Sequence, residues 1–408
     1  MVKRIVAISF IFICTTIAWF ILAGNLLFRT RHFDTKLYDS VGQLWGTKQI
    51  QKAPELYLMT GPSVNPSRQA VSLEASDITV DLQLNHRKKG LLWYSTYQVG
   101  FAGKYHVTNS TGEAQEIQLD YTFPAQGAIY DNFRFSVGEK EIQNIDLKSG
   151  NIHQAIQLAA GEGKDIEISY QSNGLDEWWY DFGQDVNQVR NFSLVMNTDF
   201  TEIDFPQETI SPTSKETTGE GMKLIWKYSN LLTGVKIGMK MPQKLNPGPW
   251  VTKVTSAAPV SLFLFFFLLM VLTTLKKIKL HPMHYFFVAA AFFSFHLLLA
   301  YLVDHISIHL AFWICSAVSI FLMISYMRLV VGYRLAFFEI AITQLIYLVL
   351  FSYTFFFEGY TGLALTIFCI ATLFVVMQAT GRLNWEEVFS RNTPPAKKPV
   401  PEIPGEVI

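Results

Sequence analysis

The sequence predicts a membrane protein of α plus β class: one N-terminal transmembrane helix, an external antiparallel β-sandwich-like domain, and a C-terminal bundle of five transmembrane helices. Three observations predict it. Long apolar runs with charges only near their ends fill residues 257–380, and each is long enough to cross a bilayer, which takes roughly 20 residues at 1.5 Å rise. Another apolar run, residues 5–28, follows Lys3 and Arg4. Between these regions, over residues 71–241, apolar and polar side chains alternate at period two.

The chain has 408 residues, half of them hydrophobic, so a long polar middle forces the apolar residues into concentrated runs. At about 100–200 residues per domain, that length holds one membrane unit and one or two further domains. A formal net charge of zero removes any electrostatic argument for a nucleic-acid partner. Cys14, Cys315 and Cys369 all fall inside apolar runs, where their default role is that of small hydrophobes, and none can staple the polar middle.

Residues 1–28 read as an uncleaved signal anchor. The apolar run exceeds the 7–15 residues or so of a signal-peptide core, and Ala23-Gly24-Asn25 is a poor cleavage site followed by more Leu and Phe. Residues 29–70 form a juxtamembrane segment. Leu37, Val41, Leu44 and Trp45 lie near helical spacing, which fits a short amphipathic helix at the membrane surface or a plain linker. Gly61-Pro62 and Asn65-Pro66 mark a loop.

Residues 71–250 hold the β domain. The alternating sets are Ile78/Val80/Leu82/Leu84, Ile117/Leu119/Tyr121/Phe123, Phe133/Phe135/Val137, Ile166/Ile168/Tyr170, Phe192/Leu194/Met196, Leu224/Trp226/Tyr228 and Val235/Ile237/Met239. Turn signals such as Asn109-Ser110-Thr111-Gly112, Gly161-Glu162-Gly163 and Thr218-Gly219-Glu220-Gly221 separate them. Strict alternation gives each strand one inward apolar face, and antiparallel packing follows from the short spacing. Residues 244–250 make a rigid exit, with Trp250 where an interfacial aromatic is expected.

Residues 257–382 hold the five remaining helices, at about 257–275, 285–303, 308–326, 335–357 and 360–380. Residues 383–408, with Pro394, Pro395, Pro399, Pro401 and Pro404, read as a disordered tail. Basic residues near the helix ends set the orientation. Lys3, Arg4, Lys276, Lys277, Lys279, Arg328, Arg334, Arg382, Lys397 and Lys398 then all lie on the cytoplasmic side, with both termini. The short turns at Asp304 and Glu358-Gly359 lie outside, and only Arg29 and Arg31 dissent.

No P-loop, dinucleotide fingerprint, zinc-protease helix or serine-nucleophile elbow is present, so no catalytic, cofactor-binding or metal residues are assigned. Ionisable groups in apolar helices are costly and therefore functional candidates: His296, Asp304, His305 and Glu339, with His309 and Gln344 nearby. Against a proton relay or ion path stands their spread over opposite ends of the membrane, and each has a plain structural alternative. Glu339 can pair with Arg334, and Asp304 can be solvated. In the β domain, Trp178, Trp179 and Tyr180 offer a stacking surface for a ligand or protein, against core packing as the default. His86-Arg87-Lys88-Lys89 can meet anionic headgroups or form a solvated turn. Asn109-Ser110-Thr111 and Asn191-Phe192-Ser193 fit glycosylation acceptors and are also ordinary strand ends.

The helical block resembles the CreD-type inner-membrane proteins of Gram-negative bacteria. The residues that carry the resemblance are His281-Pro282-Met283-His284-Tyr285, Leu302-Val303-Asp304-His305, Ala311-Phe312, Tyr326 and Thr380-Gly381-Arg382-Leu383-Asn384-Trp385. Gly381, Asn384 and the acidic residue of the Asp304-His305 pair depart from the family's usual pattern. The resemblance implies a periplasmic domain on an inner-membrane anchor, with a role in envelope integrity, stress response or colicin tolerance, and brings no reaction with it. The expectation is a non-enzymatic protein whose β domain binds, senses or scaffolds envelope proteins or polymers, with the lipid bilayer as its other partner. The alternative is a transporter or channel using the intramembrane polar residues.

Overall fold

The computed structural model describes residues 2–60, 67–90, 92–142, 150–183, 188–276, 278–357 and 359–381. The loop expected at residues 61–66 and the tail expected at 383–408 lie outside them. Two compact units emerge, His32–Asn246 and Met1–Arg31 together with Pro247–Ile408.

The His32–Asn246 unit is built from β1 (Gln49–Lys52), β2 (Glu55–Thr60), β3 (Ser67–Ala70), β4 (Ala75–Lys89), β5 (Leu92–Thr108), β6 (Gln115–Thr122), β7 (Tyr130–Val137), β8 (Lys140–Glu141), β9 (Asn151–Leu158), β10 (Gly163–Leu175), β11 (Glu177–Asp181), β12 (Gln188–Thr198), β13 (Ser214–Thr218), β14 (Gly221–Leu232) and β15 (Ile237–Lys240). They form an eight-stranded sheet, order β13-β14-β12-β4-β5-β10-β7-β8, a four-stranded sheet, β3-β2-β6-β9, and a three-stranded sheet, β1-β11-β15. All three contribute to one core: Ile78, Phe101 and Leu194 from the first, Leu56 and Leu119 from the second, Trp178 and Met239 from the third. The alternating sets point inward as the period demands, with Val235 the exception at 39% exposure.

The 15-residue β4 pairs with β5 along its whole length, a hairpin about 50 Å long at roughly 3.3 Å per residue. Gly90, at φ +61°, takes the left-handed turn that starts its return. β5 escaped the periodicity for a local reason. Tyr97, Val99, Phe101, Tyr105 and Val107 do alternate, but Gly103 leaves a gap in the inward row, and Tyr94-Ser95-Thr96-Tyr97 are buried in succession.

Two expectations change. The sheets are mixed rather than purely antiparallel, because β12 runs parallel to β4 and β1 parallel to β11. A strand that returns after a long excursion can dock beside an earlier one in either sense, and short spacing between turn signals does not record which. The β domain also begins earlier than residue 71, since β1 and β2 lie in the segment read as a linker. The inward positions of β1 are buried Gln49 and Gln51, which hides its alternation.

A single helix α1 (Val2–Trp45) replaces the separate anchor and surface helix. The amphipathic spacing is real, but within the His32–Asn246 unit Leu37 and Val41 pack on Leu92, Tyr94 and Leu175. Leu37 and Val41 therefore serve the β unit, while Leu44 on the same helix stays exposed. The basic run at the end of β4 is likewise committed within this unit. His86 bonds the Pro242 carbonyl at 2.9 Å, the Arg87 guanidinium lies 3.3 Å over the Trp45 ring, and Lys89 bonds Ser40.

The other unit holds the first part of α1 with α2 (Pro247–Leu275), α3 (Pro282–Leu302), α4 (Ile308–Val331), α5 (Leu335–Phe356) and α6 (Thr361–Thr380). Six helices among the described residues are long and apolar enough to cross a membrane. α2 starts ten residues before the apolar run, so Trp250 is helical and buried at 1% exposure. Its indole N–H donates to the Phe355 carbonyl at 3.0 Å, which makes it a bundle residue and not an interfacial anchor.

Candidate functional site

Outward-facing residues of the eight-stranded sheet form a concave polar surface. Register places Arg134, Ser169, Ala102 and Thr79 in one row across β7, β10, β5 and β4. Gly100 lies beside Ala102 on the same face, so the centre of the sheet has a floor of small side chains. Two adjoining hollows of about 290 and 770 Å³ open over it and share Thr79, Ala102, Arg134 and Ser169. Longer groups rim them: Asp77 and Asp81 on β4, Lys104 on β5, Glu167 on β10, Glu139 and Glu141 near the sheet edge. Arg134 and Thr79 stand three strands apart, about 14 Å at the usual spacing.

Part of this rim is already engaged. The Lys104 ammonium sits 2.9 Å from Asp165 and 3.1 Å from Glu167, contacts that raise its pKa. The Asp165 carboxyl is held below its ordinary range by the hydrogen bond from His106, then by Lys104. Asn197 donates to Asp81 at 2.8 Å. Gly100 is not dictated by packing, since an added Cβ would meet nothing closer than the Asp81 Cβ at 3.7 Å. Glycine inside a strand otherwise weakens it and often marks the close approach of another molecule.

The stacking surface expected at Trp178, Trp179 and Tyr180 does not form. Trp178 and Tyr180 are 0% and 1% exposed, because β11 is the middle strand of its sheet and turns both into the core. Trp179 faces outward, under the Lys48 ammonium at 4.4 Å, and its indole N–H donates to Glu177 at 2.9 Å. The core here carries a polar network that sequence reading missed. Gln51, fully buried, accepts from the Tyr121 hydroxyl at 3.2 Å and the Tyr170 hydroxyl at 2.8 Å. Gln49 donates to Ser172 Oγ at 2.8 Å and the Asn173 carbonyl at 2.7 Å. Burial pushes the phenols of Tyr97, Tyr105, Tyr121 and Tyr170 well above their ordinary value. Asn109 is no glycan acceptor: its amide is buried and donates to the carbonyls of Glu113, Leu158 and Ala159.

The helical unit disperses its candidate residues. Asp304 forms an ion pair with Arg29 at 3.0 Å, and Arg29 also donates to the Ala300 carbonyl. Arg29 is thus neutralised by a partner, which removes one of the two dissenting charges from the orientation argument. Glu339 pairs with Lys276, the residue just past the end of α2, rather than with Arg334. His305 is exposed, and His309 stacks on Phe356 with ring centroids 4.7 Å apart. Among the described residues no group of three or more His, Cys, Asp or Glu could hold a metal ion.

His296 is 1% exposed; its Nδ1 bonds the Phe292 carbonyl at 3.1 Å, and its ring meets Trp19 edge-on at 5.3 Å. Gln344 donates to Ser319 Oγ at 2.9 Å, and Ser319 donates to the Ala291 carbonyl at 2.6 Å, tying α5, α4 and α3 together. Gln344 ends a short α-helical stretch between two π-helical ones, Leu335–Ile340 and Leu345–Leu350. π-helical turns shift carbonyls out of the i to i+4 ladder, and Ser261 bonds the Tyr347 carbonyl there.

These features define a class: an α plus β chain with several membrane-length helices and a β unit of large sheets. Within it, residues 251–386, a third of the chain from α2 onward, match the family model described as Inner membrane protein CreD. The likeness read from His281 to Trp385 is borne out by that match. No curated protein matches the chain. Among solved structures, one described provisionally as a nutrient binding protein from Legionella pneumophila subsp. pneumophila str. Philadelphia 1 aligns with TM-score 0.37 and 9% identity, covering 54% of this chain and 76% of that chain. Similarity at that level carries no argument.

Proposed function

We propose that this chain is a non-enzymatic protein of the bacterial inner membrane that crosses it six times with both termini in the cytoplasm. Its β domain then lies in the periplasm, where it binds, senses or scaffolds components of the cell envelope in support of envelope integrity and the stress response. The observation that carries the reading is the combination of the inner-membrane family match over residues 251–386 with a separate β unit between the first and second apolar helices. Basic residues at alternate helix ends support the orientation. The hollow over Thr79, Gly100, Ala102 and Ser169 supports binding, because its small floor and charged rim suit an extended polar chain. That face replaces the aromatic cluster as the candidate binding surface.

A photo-crosslinking residue placed at Ser169 or Thr79 in living cells tests this, with Glu116 on the four-stranded sheet as the control position. A distinct adduct from the floor and none from Glu116 supports the reading. No adduct from the floor, or equal adducts from both faces, sinks it. Protease added to spheroplasts tests the threading separately: the β domain should be cut while the C-terminal tail survives.

Transport is the second reading, favoured by one observation: His296 Nε2, Gln344 Oε1 and Glu339 Oε2 are buried polar atoms with no hydrogen-bond partner. No hydrogen bond among the described residues joins these three groups to one another, which is why binding stands first.

A further inference from the structure

We infer that the cleft between the start of α1 and the end of α2 is a site for one anionic phospholipid, its acyl chain in the cleft and its phosphate on Arg4. The inference rests on the reading of these helices as membrane-spanning. The cleft has a volume of about 260 Å³ and is lined by Ile5, Ile8 and Phe12 from α1 and by Phe263, Phe267 and Met270 from α2, with Ser9 the one small polar residue in the wall.

The two walls follow from helical spacing. Residues 5, 8, 9 and 12 share one face of α1, and residues 263, 266, 267 and 270 share one face of α2. Phe12 closes one end against Phe263, with ring centroids 6.1 Å apart. Tyr285 closes the other end, and Arg4 donates to its hydroxyl at 3.3 Å with the guanidinium 5.9 Å from its ring. From residue 5 to residue 12 the helix rises about 10 Å, within the roughly 15 Å that one leaflet's hydrocarbon occupies. The cleft therefore fits within one leaflet and has apolar walls and a cation at its mouth.

Charge complementarity selects the occupant. A guanidinium has five N–H donors, and the contact to Tyr285 uses one. No carboxylate among the described residues pairs with Arg4, unlike Arg29 with Asp304 or Lys276 with Glu339. A phosphate diester accepts two parallel N–H bonds from such a fork, and its attached chain fills the apolar walls without leaving a polar group buried. A peptide segment would bring backbone groups the cleft cannot satisfy.

Native mass spectrometry of the full chain released from detergent, with phosphatidylglycerol or phosphatidylcholine added, tests this. One phosphatidylglycerol should be retained about tenfold more than phosphatidylcholine: both carry the phosphate diester, but in phosphatidylcholine the choline cation neutralises it and repels the guanidinium, which costs about what one charge-assisted contact gives. Arg4→Gln should bring the two lipids to parity, Arg4→Lys should keep part of the preference, and Ser9→Phe should abolish retention of both by filling the cleft. An unchanged preference in Arg4→Gln, or undiminished retention in Ser9→Phe, overturns the site and leaves only annular lipid. A dimer that persists in wild type and falls apart in Ser9→Phe would make a second copy the occupant and also overturn it. The measurement is blind to which side Arg4 faces, so its failure is distinct from a failure of the proposed threading.

Discussion

Gln51 offers the sharpest test of how the β unit is held together. Its side-chain oxygen is the acceptor for two buried phenols, Tyr121 and Tyr170, and neither hydroxyl has another hydrogen-bond partner among the described residues. Gln51→Leu keeps the volume and removes the acceptor. Each buried hydroxyl left unpaired costs about 1–3 kcal/mol, so the substitution should cost about 2–6 kcal/mol. For a unit of this size that lowers the thermal midpoint by roughly 10 °C, at about 2–4 °C per kcal/mol. Near-UV circular dichroism of the full chain in detergent reports it, because the core tyrosines and tryptophans dominate that signal. The triple variant Gln51→Leu, Tyr121→Phe, Tyr170→Phe removes both donors and should recover most of the loss. A single variant as stable as wild type, or a triple variant no better than the single, would refute the assignment of the network.

Alkaline pH should unfold the β unit cooperatively. Below about pH 10 both folded and unfolded chains keep the phenolic protons, and the burial of Tyr97, Tyr105, Tyr121 and Tyr170 has no pH dependence. Above that value the unfolded chain loses protons that the folded chain retains, since the folded pKa values are raised, so stability falls as pH rises. Absorbance at 295 nm should jump with loss of near-UV dichroism; smooth titration with the dichroism intact would contradict it. A double-mutant cycle of Arg29→Gln and Asp304→Asn should give a coupling of about 1 kcal/mol in thermal stability, and additive effects would mean the pair contributes nothing. His296→Leu and Glu339→Gln should restore detergent resistance to a deletion strain as fully as wild type does. Loss of complementation by either, with the protein still present in the membrane, would favour transport.

The helices were legible because a bilayer sets their length and composition, and runs such as residues 335–357 carry that requirement in the chain itself. Period two exposed the inward rows of Ile78, Leu119, Ile168 and Leu194 for the same reason: one side of a strand is buried and the other wet. β5 and β1 were hidden where the rule is broken, at Gly103 and at Gln49 and Gln51. Those residues make sense only beside the tyrosines and carbonyls that surround them.

Sequence by itself determined which segments are apolar helices, which regularly alternating segments are strands and where charge interrupts them, since each of these is a local property of consecutive side chains. Tertiary structure decided which residues meet. It turned Trp178 and Tyr180 inward, gave Arg29 to Asp304 and Lys276 to Glu339, and brought Thr79, Gly100, Ala102 and Ser169 to one floor. Contacts between residues far apart along the chain depend on strand order and helix packing, and no local pattern encodes these.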